Sequence, residues 1–371
     1  MEELTLVAVV VVALFFDFTN GFHDAANAIA TSVSTRAISP RLAVLGAAIL
    51  NFAGAFISIE VAATVANGIV VSEVVTTDVV LAGVVGAITW NLITWYLGLP
   101  TSSSHALIGG VLGSALAANG FDVVQWGGVR DKVLIPSLAA PVLGGIGAFV
   151  LMTVIFWIIR RRAPGAVNRV FRRFQLVTAG FVALTHGTND AQKTMGIIAL
   201  ALVASGHIPA DDFYVPTWVI ATAAIAMAAG TYAGGWRIIR TLGTRIAKLE
   251  PPQGFAAEAS TATILYTTAH LGFPVSTTHT ITGSVMGAGA SRRFSAVRWG
   301  VAGNILVAWV MTIPCAASVG GLMELLTRLP AGDVLVFVLA SAIATAAFSA
   351  RRWQTRRQLA PAAASADVSG W

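Results

Sequence analysis

Cysteine is almost missing: Cys315 is the single one in 371 residues. That excludes an internal disulfide framework and a cysteine metal cluster, and Cys315 itself reads as a small buried core residue. Charge is nearly as scarce. Asp, Glu, Lys and Arg make up 11% of the chain against 56% apolar residues, with a mean hydropathy of +0.78. This balance excludes an ordinary soluble domain and calls for an integral membrane protein. A basic leader is also lacking. The apolar stretch 4–16 follows Glu2 and Glu3 and runs directly into polar sequence, so it reads as mature structure rather than a cleaved signal. No nucleic-acid partner is expected.

What is present is apolar sequence interrupted by two related pairs of polar motifs. NGFHDAANAIATS (20–32) is followed by LPTSSSHALIGG (99–110), and HGTNDAQKTMG (186–196) is followed by FPVSTTHTITGS (273–284). Aligning Asp24 with Asp190 gives an offset of 190 − 24 = 166, and aligning Pro100 with Pro274 gives 274 − 100 = 174. Order and approximate spacing both repeat. Two copies of one buried polar site are a transporter's arrangement, and a receptor or scaffold has no use for them. A membrane enzyme acting on phosphate esters would place its nucleophile or metal near the surface, whereas these candidates all lie deep in apolar segments.

Several apolar stretches, such as 80–97, 104–119, 260–272 and 280–290, are shorter than the roughly 20 residues that cross a hydrocarbon core. Non-helical backbone survives at membrane depth only inside protein or beside water, so these pairs read as re-entrant hairpins tipped by the Pro-Ser/Thr motifs. The fold class expected is an all-α polytopic membrane protein with inverted-topology repeats, broken helices and re-entrant hairpins. Up to about twelve helical pieces would result. The expected division is an N-terminal repeat over 1–159, a basic linker over 160–173, a C-terminal repeat over 174–350 and a tail over 351–371.

Charge sets the expected orientation. Arg160, Arg161, Arg162, Arg169, Arg172 and Arg173 form the most basic short connection, and such loops stay cytoplasmic. If 133–159, 41–66 and 4–35 each cross once, the N-terminus is outside. If 174–206 crosses once, the loop 207–213 with Asp211 and Asp212 is outside too. Single returns at 214–234, 299–320 and 331–350 then keep Arg237, Arg240, Arg245, Lys248, Arg292, Arg293, Arg298 and the tail's arginines inside. Three crossings in the first half invert the second, as in secondary transporters with a midplane site. Arg130 and Lys132 run against the rule, since they fall outside beside Asp131.

Asp24 and Asp190 lie deep in apolar segments, where an isolated carboxylate costs several kcal/mol and marks an ion path or proton relay. Asn20, His23 and Asn27 surround Asp24; His186, Asn189 and Gln192 surround Asp190. Such carboxylate and amide oxygens suit a hard cation or a proton. Asn20, His23, Asp24, Asn189, Asp190 and Glu60 are the candidates for ion coupling. Asp17 is a further intramembrane acid with no role assigned. The hydroxyl runs, Thr101, Ser102, Ser103, Ser104 and Ser276, Thr277, Thr278, suit an anion rich in acceptor oxygens. If each opens a short helix, its free N–H groups add to that site. His105 and His279 follow directly, and helix packing accounts for them as well as ligand contact does. Lys193 takes the place of Asn27 in the repeat and would compensate Asp190 or the anion. Asp24, Asn27, Ser102, Ser103, Ser104, Asp190, Lys193, Ser276, Thr277 and Thr278 are the candidate anion-site residues.

NGFHDAANAIAT and HGTNDAQKTMG resemble the two signatures of the inorganic phosphate transporter (PiT) family, and the resemblance covers essentially residues 8–350. The lysine in GTNDAQK resembles the bacterial low-affinity, proton-coupled members; sodium-coupled members typically carry Asn there. The resemblance implies an inverted-repeat homodimer in the cytoplasmic membrane with no cofactor and phosphate between hairpin tips and signatures. It also implies Asp24, Asn27 and Asp190 as ion or phosphate ligands, and for proton-coupled members a neutral complex of phosphate with a divalent cation as the transported species. Sodium coupling and sulfate transport by the same architecture are the alternatives. Monohydrogen phosphate can donate a hydrogen bond to a carboxylate and sulfate cannot, so paired acids favour phosphate.

Overall fold

The computed structural model describes residues 2–209 and 212–366, with side chains described up to 350 apart from Glu2 and Glu73. Asp211 and residues 367–371 lie outside the described residues, and no side chain of the basic tail is described. Fourteen α-helical segments follow one another, and the described residues form no β-sheet. In order they are α1 (Glu2–Ser34), α2 (Pro40–Gly54), α3 (Glu60–Asn67), α4 (Thr77–Leu97), α5 (Ser103–Asn119) and α6 (Trp126–Gly128). A π-helical segment, Val129–Leu134, joins α6 to α7 (Ile135–Ile159). Then come α8 (Pro164–Ala204), α9 (Thr217–Ala233), α10 (Trp236–Arg240), α11 (Pro251–His270), α12 (Thr277–Ala290), α13 (Trp299–Thr327) and α14 (Gly332–Ala366). By length and composition five helices are apolar enough to cross a membrane, or six if the pair α9 and 236–245, bent by 61°, is one span.

Three contacts fix how the halves meet. Glu3 lies 3.6 Å from His207, Asp24 sits against Asp190, and the Thr35 hydroxyl donates to Gln175 Oε1 at 2.7 Å. As numbering rises along α1 it falls along α8, so these equivalent helices run antiparallel and the second half is inverted against the first. The hairpins obey the same rule. Arg328, just beyond α13, donates to the Ala117 carbonyl at the end of α5, and Arg292 after α12 pairs with Glu250 before α11. Hairpin α4–α5 therefore enters from the face carrying Glu3, and hairpin α11–α12 from the face carrying the arginines 160–162. Their tips meet inside, where the His105 and His279 rings approach to 4.7 Å.

The structure exposes more of the repeat than the polar motifs did. FDVVQW (121–126) recurs as FSAVRW (294–299) at an offset of 294 − 121 = 173. In both copies the Trp indole donates to the Phe carbonyl and the two rings stack. Pro141 inside α7 and Pro314 inside α13 keep the same offset, 314 − 141 = 173. The closing helices are exchanged: α7 packs on α12 of the other half, and α13 on α5. Gly287 and Gly113 make this possible. A Cβ on Gly287 would stand 2.0 Å from the Gly145 carbonyl oxygen, and one on Gly113 2.0 Å from that of Ala317. Only glycine lets the backbones come so close.

Four expectations change. The stretch 41–66 is not one crossing but α2 and α3 with a break between; the Gln192 side chain supplies the acceptor for the free N–H groups of Val61 and Ala62 that open α3. Residues 160–173 are not a separate linker, because Pro164 starts α8 with its fixed φ and the helix then runs unbroken for 41 residues. Nor is the tail from 351 set apart, since α14 continues helical to Ala366. Cys315 is half-buried on α13 rather than a core residue.

Candidate functional site

Both signatures lie within unbroken helix. Asp24 and Asp190 therefore face each other on α1 and α8 without any loss of backbone pairing. At the site itself the irregular backbone lies at the hairpin tips. Ser102 is the N-cap of α5, its hydroxyl accepting from the His105 N–H at 3.0 Å; Ser276 caps α12, accepting from His279 N–H at 3.2 Å. These two serines thus serve the helix starts. Each cap leaves first-turn N–H groups without intrahelical partners at the place where the tips meet.

The next residues bind the acids. Ser103 Oγ lies 2.6 Å from both Asn20 Oδ1 and Asp24 Oδ2, so its single proton serves one at a time. Thr278 donates to Asp24 Oδ1 at 3.2 Å while accepting from Asn27 at 2.9 Å, and His23 Nδ1 completes the first carboxylate at 2.8 Å. On the second, Thr277 donates to Asp190 Oδ1 at 3.1 Å and the Lys193 ammonium binds the same oxygen. Lys193 also donates to Ser104 Oγ at 2.6 Å and to the Val275 carbonyl at 3.0 Å. The grip is crossed: a hydroxyl of the second hairpin holds the first acid, and the lysine of the second signature holds the first hairpin.

His186 Nε2 lies 3.0 Å from Asp190 Oδ2 but outside hydrogen-bond geometry, so neither atom has a hydrogen-bond partner. Asn27 Oδ1 and Asn189 Oδ1 are likewise buried without a donor. Oxygens of Asp24 and Asp190 and a nitrogen of His186 all lie within 4.8 Å of one another, a spacing able to hold a cation. In this chain the Lys193 ammonium already bonds to one of those carboxylates. The predicted anion-site residues are each at most 2% exposed, and Asn20, His23 and Asn189 at most 1%. The site is closed from both faces.

Glu60 stands apart from this cluster. It is exposed at the start of α3, bonded by the Ser58 hydroxyl, and lines an open cavity of about 400 Å³ with Lys132 and His270. The cause is the break before α3, which lifts Glu60 out of the helix packing. His105 and His279 are packing residues here: His105 meets Ser137 at 2.6 Å, and His279 stacks on Trp309 with centroids 3.8 Å apart. Sequence reading missed Glu258, buried among Thr31, Gln175 and Thr178, which contribute hydrogen bonds of 2.5–3.2 Å. It also missed Asn51, which bridges His186 and Thr231. A lone acid in the apolar 260–272 neighbourhood was the signal for Glu258. Asn51 carried none.

The profile of the phosphate transporter family matches residues 20–320. The chain belongs to the phosphate transporter family. A probable low-affinity inorganic phosphate transporter of Rhizobium meliloti is 51% identical over 318 residues, 85% of this chain and 95% of the relative. Its counterpart in Bacillus subtilis is 44% identical over 319 residues, covering 85% and 95%. A solved structure, the sodium-dependent phosphate transporter, superposes with a TM-score of 0.79 at 27% identity, covering 87% of this chain and 99% of that one. These relatives are named as transporters, and this family member is a multi-pass membrane transport protein rather than an enzyme.

Proposed function

We propose that this family member is a proton-coupled phosphate symporter of the bacterial cytoplasmic membrane, working by alternating access of a site between the two hairpin tips. The single observation that carries the reading is the engagement of Lys193. Its ammonium already neutralises Asp190 and reaches Ser104 and the Val275 carbonyl, so a second fixed cation beside that carboxylate would meet like-charge repulsion.

The hydrogen bonds supply the reason for coupling. The hydroxyls of Ser103, Thr277 and Thr278 donate to Asp24 and Asp190 when the site is closed. To bind phosphate they must turn to its oxygens, together with the first-turn N–H groups of α5 and α12. Asp24 and Asp190 would then lose donors in a buried place, which is costly unless positive charge arrives with the anion. A proton needs no coordination cage. A divalent cation travelling with phosphate would be cargo and would do part of the same work.

The two halves, 1–159 and 174–350, rock about this site with the N-terminus outside, the 160–173 stretch inside and two copies forming a homodimer in lipid. Sodium coupling is the second reading, favoured by the unpartnered oxygens Asn27 Oδ1, Asn189 Oδ1 and Asp190 Oδ2 and by the named dependence of the solved relative. Uptake of labelled phosphate by the purified protein in sodium-free liposomes separates them. Accumulation driven by an acid-outside gradient and collapsed by a protonophore is expected; uptake that needs sodium and ignores the protonophore would replace this reading with the second.

A further inference from the structure

One buried acid has no part in the arrangement above. Asp17 lies on α1 seven residues before Asp24, two turns toward the end that carries Glu3, and is 0% exposed. Neither of its carboxylate oxygens has a hydrogen-bond partner, and neither has the Thr194 hydroxyl nearby. Thr194 and Asn20 are its polar neighbours, and Asp190 and Lys193 are the charges within reach.

Among the described residues, the other elements packed on α1 offer it no lysine or arginine at its depth; the histidines on those elements are His186 of α8, 3.0 Å from Asp190, and His105 and His279 at the hairpin tips. α9 has no charged residue, α4 has only Asp78 in its first turn, and α2 has only Arg41 at the opposite end. Arg237 and Arg240 of α10 and Glu258 of α11 lie toward the far end of α1, and Asp333 of α14 is bonded to Thr5. Lys193 is engaged by Asp190, Ser104 and the Val275 carbonyl. An ionised Asp17 would therefore have only the Thr194 hydroxyl and the Asn20 amide to turn to as donors, and no counter-ion of its own, at a depth where that lack costs several kcal/mol. A protonated Asp17 has an O–H to give, and the Asn20 and Thr194 side-chain oxygens to give it to.

Those two neighbours connect it to both central acids. Asn20 shares the Ser103 hydroxyl with Asp24, and Thr194 follows Lys193, which holds Asp190. We propose that Asp17 is the residue that carries the coupling proton, taken up from the water on one face and released to the other. Only the carboxyl O–H bond forms and breaks. When phosphate draws hydroxyls away from Asp24 and Asp190, the proton on Asp17 keeps a third negative charge out of the cluster. Release of the proton to the inner face leaves Asp17 anionic, and the empty carrier returns in that form to take up its next proton at the outer face, which ties one crossing to one proton at this site.

This inference rests on the proton-coupled reading, so the full-length protein is tested first for acid-gradient-driven uptake in sodium-free liposomes. Failure of the parent there ends both. With the parent proton-driven, Asp17→Asn mimics the permanently protonated form. Gradient-driven accumulation is expected to fall by at least about ten-fold, while phosphate–phosphate exchange at equal pH, which needs no net proton movement, stays within about three-fold of the parent. Asp17→Glu should restore accumulation and shift its pH profile. Accumulation by Asp17→Asn at the parental level overturns the inference and leaves the coupling reading standing. Equal loss of exchange and accumulation in both variants overturns it as well, and assigns Asp17 to packing or to phosphate binding.

Discussion

At the residue scale the site is a set of neutral donors around two acids and one lysine, and its chemistry follows from which donor is committed where. Ser102 and Ser276 are caps, so their loss would loosen the hairpin tips. Ser103 and Thr277 hold the acids at 2.6 Å and 3.1 Å through hydroxyls that turn to the anion in the proposed mechanism. Ser103→Ala or Thr277→Ala is expected to weaken phosphate binding about ten-fold or more, the roughly 1.5–3 kcal/mol of a hydrogen bond to a charged group. Isothermal titration in detergent measures it directly. An unchanged dissociation constant in both variants would return these hydroxyls to helix packing alone.

At the scale of elements the exchanged closing helices hold the hairpins in place. α7 lies against α12 and α13 against α5 through glycine-lined seams. Association in a membrane depends on such close packing, because lipid is as apolar as the helix face. Gly287→Ala would drive a methyl group to 2.0 Å from the Gly145 carbonyl, backbone that cannot turn aside. Overpacking of this kind costs about 1–3 kcal/mol, so a lower unfolding temperature in detergent is expected. Gly300→Ala is the control: a Cβ there meets nothing within 4 Å, and the transition should not fall. Equal behaviour of the two variants would mean that α7 and α12 are not seated on each other as described.

For the whole molecule, the antiparallel crossing of α1 and α8 puts Glu3 and His207 on one face and the arginines 160–162, Glu250 and Arg292 on the other. In the proposed orientation the basic clusters put the second face in the cytoplasm, as the positive-inside rule asks. Single cysteines introduced as Ala166→Cys and His207→Cys in a Cys315→Ala background should react with an impermeant maleimide only from the inside and only from the outside, respectively. Labelling at position 166 from outside intact cells would reverse the orientation. Arg130 fits better than its charge suggests, since it forms a two-bonded pair with Asp131 at 2.7 Å and 3.0 Å on the first face.

Membrane residence, the internal repeat, the hairpin tips and nearly every polar residue of the central site were legible in the linear chain. The reason is that hydrocarbon tolerates polar groups and irregular backbone only where they serve something, so each one is visible against the apolar background. The second layer of the repeat was legible in principle and missed, because an aromatic pair and a proline are not unusual in a membrane helix until their contacts are known. What tertiary structure alone decided is which donor meets which acceptor. Thr278 reaches Asp24 across 254 positions, Lys193 reaches Ser104 across 89, and Gln192 caps a helix 131 positions away. Spacing along a chain carries no record of such pairings; they arise when two helices cross antiparallel and bring opposite ends of the sequence to one depth. The break before α3 lifted Glu60 out of the site, while the helices around α1 buried Asp17 beside it, two acids that look alike in sequence and differ in what the neighbouring helices cover.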